Sequence, residues 1–67
     1  MDPNMTLRDI WQALAAGDCE EAFYKANELE AWIRKGGFLP DSGGMDRDGW
    51  LAALRNLRRA LKATQSA

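Results

Sequence analysis

The stretch "WIRKGGFLPDSGGMDRDGW", residues 32–50, decides how this chain folds. Gly36, Gly37, Pro40, Gly43 and Gly44 stand between two segments with helical apolar spacing, and such a cluster ends one helix before the next begins. The break is long enough to turn the chain around. Its flanks therefore read as one hairpin of antiparallel helices, at about residues 19–35 and 47–62.

Working outward, Ala22, Ala26, Leu29 and Ile33 recur at the 3-4 spacing of a buried helix face. Asp18 followed by Glu21 forms a capping-box pair, and Glu20 and Glu21 suit the positive end of the helix dipole. Arg34 and Lys35 stand at the other end, where Gly36 stops the helix in a left-handed conformation. Beyond the loop, Trp50, Leu54, Leu57 and Leu61 make the stripe of a helix capped by Asp46. A third, shorter helix is expected at about residues 7–16, with Thr6 as its cap and Gly17 as its stop. There Leu7, Ile10, Trp11 and Leu14 share one face. No segment alternates with period two. The expected fold is all-α, a single domain over residues 1–67, with the short helix packed across the hairpin and residues 1–5 and 63–67 frayed.

Within the loop, Phe38 and Leu39 are expected to fold back and plug the open end of the hairpin. Pro40-Asp41-Ser42-Gly43 reads as a turn. Two ligand readings of the loop fail on spacing. A phosphate-binding loop needs Lys-Ser/Thr after its last glycine, and here Met45 and Asp46 follow Gly44. An EF-hand centred on Asp46-Arg47-Asp48-Gly49 puts Gly44 at the first ligand position and Arg55 where a bidentate glutamate belongs.

Composition narrows the chemistry. The chain of 67 residues has no histidine and one cysteine. That removes the commonest general base and metal ligand, and leaves no pair for an internal disulfide. Cys19 sits in the first turn of a helix beside Glu20 and Glu21, which oppose thiolate formation, and it reads as a small buried residue. The start "MDPNMTLRD" lacks the order of a signal peptide, and no apolar run approaches a membrane span. A cytoplasmic protein without metal or cofactor is expected.

Net charge is −1 but unevenly spread. Residues 1–30 carry seven acids and two bases, while residues 31–67 carry seven bases and three acids. Such asymmetry can steer a partner or align two copies. Arg55, Arg58, Arg59 and Lys62 fall within about 100° on the third helix, a stripe that could follow nucleic-acid phosphates. A helix-turn-helix reading of the Gly17 corner fails, because the would-be recognition helix opens Asp-Cys-Glu-Glu and meets DNA with the wrong sign.

Trp32, Phe38 and Trp50 converge near one end of the hairpin, and Tyr24 points away from its helix's apolar stripe. Core packing accounts for the first three. A partner-binding patch is the other reading, and all four are candidate contact residues.

The string "ELEAWIRKGGFLPD", residues 28–41, followed by a tryptophan and a leucine-rich helix, resembles short proteins encoded by bacteriophages and other mobile elements. The resemblance covers about half the chain and brings no activity with it. It implies a setting in which small proteins bind a host or viral protein and modulate it. The expected function is thus a non-enzymatic protein–protein interaction module that self-associates, with a dimer favoured. A small nucleic-acid-binding regulator is the alternative.

Overall fold

A computed structural model describes residues 1–41 and 43–66. It contains three helices, α1 (Pro3–Ala15), α2 (Cys19–Arg34) and α3 (Arg47–Ser66), and no strand among the described residues.

The two helix stops use the same device. Gly17 has φ 75°, with its N–H on the Leu14 carbonyl at 3.1 Å and the Asp18 N–H on that of Ala13 at 2.8 Å. Gly36 has φ 100°, with its own N–H on Ile33 at 3.1 Å and the Gly37 N–H on Trp32 at 2.9 Å. Both are Schellman closures, which satisfy the last carbonyls of a helix and require the left-handed residue that glycine supplies. The expected caps of α2 and α3 are present. Asp18 Oδ1 accepts the Glu21 N–H at 3.0 Å, and Asp46 Oδ1 accepts that of Gly49 at 2.8 Å.

The first helix begins earlier than expected. Its cap is Asp2, which accepts the Asn4 N–H at 3.0 Å, and not Thr6. Pro3 follows at a position where its fixed φ suits a helix and its missing N–H leaves nothing unpaired. Thr6 lies inside the helix, and its hydroxyl bonds the Asp2 carbonyl at 3.3 Å. Residues 3–5 are therefore helical where fraying was expected. The start is also tethered: Asn4 accepts the Asp41 N–H at 2.8 Å and donates to the Asp41 carboxylate at 3.3 Å. At the other end α3 continues past Lys62 to Ser66, with Thr64 bonded to the Ala60 carbonyl at 3.0 Å. Ala67 and the Ser42 step of the expected turn lie outside the described residues.

Ala22, Ala26, Leu29 and Ile33 of α2 are fully buried, as their spacing requires. Ile10 of α1 and Trp50 and Leu54 of α3 join Ala26, Leu29 and Ile33 in one cluster; Ala13, Ala22 and Leu61 form a second, and Leu14 and Leu57 pack against both. Both α1 and α3 pack on α2, but among the described residues no Cα of α1 comes within 8 Å of one in α3. The total accessible surface is 4304 Å², close to the roughly 4,250 Å² that mass scaling gives for a compact chain of this size.

Two apolar residues depart from expectation. Trp11, read as part of the inner stripe, is 62% exposed. It lies about 100° round the helix from Ile10, and only a helix pressed against that side would bury it. Phe38 does not plug the hairpin either, being 59% exposed. The chain after Gly37 is non-helical, and Leu39 packs on the core and Pro40 is buried while Phe38 faces out.

Candidate functional site

Three surfaces carry the residues singled out from the sequence, and the structure adds a fourth. The first is the Trp32–Phe38 end. Trp32 ends the outer edge of α2, and its Nε1 donates to the Phe38 carbonyl at 3.0 Å. The two rings meet edge to face, with centroids 5.6 Å apart and planes at 85°. The Lys35 ammonium lies 5.4 Å from the centre of the Trp32 ring, within reach of its negative face. Gly37 has no side chain because the Trp32 indole occupies that space: an added Cβ would overlap the ring. The indole is thus held from three sides and leaves the Phe38 ring standing in water.

Trp50 does not belong to that surface. It is 5% exposed and packs in the core cluster, which leaves it little surface of its own to offer a partner. Its Nε1 is buried without a hydrogen-bond partner among the described residues. Tyr24, by contrast, is 61% exposed. With Phe23, Asn27 and the acids Asp18, Glu20 and Glu21 it lines a shallow cleft of ≈ 570 Å³.

On the far side of Phe23, Arg55, Arg58, Arg59 and Lys62 line a cleft of ≈ 340 Å³. Arg58 is not free for a ligand there. Its guanidinium lies 2.6 Å from the Glu30 carboxylate and also donates to the Asn27 side chain at 3.2 Å. Glu30 is 3% exposed and meets Arg34 as well, at 3.4 Å. A buried carboxylate requires such partners, so Arg58 serves the fold. Arg55, Arg59 and Lys62 remain exposed, as three charges in place of four.

The fourth surface was not anticipated. Between α1 and α3 lies an apolar cleft of ≈ 520 Å³, walled by Leu7 and Trp11 on one side and Ala53 and Leu57 on the other. Ile10, Trp50 and Leu54 form its floor, and Gly43 and Met45 close one end. One signal in the sequence could have found it. Arg47, Asp48, Arg55, Arg58, Arg59 and Lys62, all the charges of α3, fall within an arc of about 120°. Contact with α2 takes in Arg47 and Arg58 at one edge of that arc and only part of the uncharged surface.

Among the described residues no three His, Cys, Asp or Glu side chains gather as metal ligands do, and no helix is long and apolar enough to cross a membrane. Cys19 is half-buried. No protein family, curated protein or solved structure matches the chain.

Proposed function

We propose that this chain is a non-enzymatic protein–protein interaction module, built as an antiparallel α2–α3 hairpin with α1 packed across it. The scaffold reading is supported by residue pairs that run in opposite order along the two helices. Arg47 donates to the Ile33 carbonyl, Arg58 meets Glu30, and Leu61 clusters with Ala22.

The single observation that carries the function is the exposure of large aromatic side chains on so small a body. Trp11, Tyr24 and Phe38 are each about three-fifths exposed. Aromatic residues supply much of the energy of protein interfaces, and three of them stand largely in water here on 67 residues. A chain with no histidine lacks the commonest general base, and its lone cysteine stands beside two glutamates. In this reading the partner is a host or viral protein, the setting is the cytoplasm of a cell carrying a phage or mobile element, and the chain acts as a homodimer.

The experiment is affinity capture from the native host, comparing the natural chain with a Tyr24→Ala/Phe38→Ala variant that keeps its helical dichroism. A protein retained by the first and lost by the second supports the reading. Identical capture by both counts against it.

A nucleic-acid-binding regulator is the second reading, favoured by the exposed Arg55, Arg59 and Lys62 beside Phe23. Three phosphate contacts would give a log–log salt slope of about −2 to −3. A gel shift at low salt separates the two, and absence of binding to both duplex and single strands eliminates this one.

A further inference from the structure

We infer that the cleft between α1 and α3 is a dimer interface, occupied by Trp11 of a second copy of this chain in a two-fold arrangement. The inference rests on reading the chain as an interaction protein and names its first partner.

A two-fold interface presents the same surface from both sides, so that surface must complement itself in shape and in charge. This one does both. Trp11 stands 62% exposed on the lip of the cleft, and the hollow of ≈ 520 Å³ lies immediately beside it. Protrusion and socket therefore share one face. On the α3 wall, Ala53 and Leu57 are followed outward by the exposed Asn56 and Ala60, and every charge of that helix lies on the other arc. Rotating a copy onto this face brings no α3 charges together and strips none of them of water. Arg8 of α1 lies about 60° farther round than Trp11, at the rim, where its charge can stay hydrated. Small residues along the lip allow close approach of a facing helix.

Area sets the strength. The molecule measures 33 × 19 × 19 Å, so its long face offers roughly 630 Å² to a copy, at the low end of stable interfaces. That figure is an upper bound on what one copy can bury, and it suits a reversible dimer.

The charged face fits a second copy less well. Glu20 and Glu21 start α2, and Arg59 and Lys62 stand near the end of α3; Ala22 and Leu61 of those same turns share a buried cluster. Acids and bases there offset one another within the chain, and exposed ion pairs add little to association.

The test is sedimentation equilibrium on the full chain up to about 0.5 mM, with a dimer constant in the micromolar range expected. Trp11→Glu and Ala53→Arg, each checked for helical dichroism, should weaken dimerisation by at least about tenfold. Tyr24→Ala and Arg59→Glu should leave it within about threefold. Either cleft variant alone is decisive if the other fails to fold. A monomer at every concentration overturns the inference, as does a dimer that Arg59→Glu breaks and the cleft variants spare. A monomer that still captures a partner through Tyr24 and Phe38 sinks this inference and the homodimer, and leaves the interaction reading standing. A cleft dimer that captures nothing sinks only the earlier reading.

Discussion

The Glu30 carboxylate, 3% exposed, lies 2.6 Å from the guanidinium of Arg58 on the neighbouring helix. The contact joins α2 to α3 across 28 residues of sequence and makes one base of the apparent binding stripe a structural one. Removing Arg58 leaves the buried Glu30 with only Arg34 at 3.4 Å, whereas replacing both partners of a buried pair by apolar groups can be nearly neutral. Arg58→Met should therefore destabilise the protein by about 3 kcal/mol. The double variant Glu30→Met/Arg58→Met should recover most of that loss. Chemical denaturation of the four proteins of the cycle measures the coupling, and a value near zero would place the pair among ordinary surface contacts.

Gly36 and Gly37 should fail differently when changed to alanine. At Gly36 the obstacle is backbone conformation, φ 100°, with open space around it, and the cost is about 1–2 kcal/mol. At Gly37 it is the Trp32 ring. Gly37→Ala should move the indole and break its bond to the Phe38 carbonyl, seen as a shifted Trp32 indole N–H resonance. Gly36→Ala should leave that resonance in place.

Phe38→Ala is expected to cost less than about 1.5 kcal/mol, well under the 3–5 kcal/mol of a buried phenylalanine. The ring is 59% exposed and meets Trp32 edge to face. Its neighbour Leu39 packs on the core, and Leu39→Ala should cost about 2 kcal/mol or more. A larger loss at residue 38 than at residue 39, by denaturant midpoint, would restore Phe38 as a plug.

Asp2→Ala should remove about 1 kcal/mol by unmaking the cap of α1, a shift of roughly 4–8 °C in melting temperature for a chain this small. Thr6→Ala should cost less, since its hydroxyl bonds a carbonyl already used by the helix. The reverse order in calorimetry would return the helix start to Thr6.

The helix stops at Gly17 and Gly36, the caps at Asp18 and Asp46 and the buried face of Ala22, Ala26, Leu29 and Ile33 were legible in the sequence alone. Each depends on neighbours within one or two turns, where spacing dictates geometry. The start of α1 differs for a local reason too: Asp2 accepts the Asn4 N–H and Pro3 opens the helix about a turn ahead of Thr6.

What lay beyond the sequence was which side of each helix would find a neighbour. Trp11 and Ile10 are equally apolar and adjacent, yet one is 62% exposed and the other 1%. Whether α3 closes on α1 or stands off from it is decided by how both seat on α2. Glu30 and Arg58 look like solvated charges on their own helices, and only the approach of those helices buries one and recruits the other. Local bonding wrote the helices; the free energy of packing them chose which faces stay dry and which remain open to a partner.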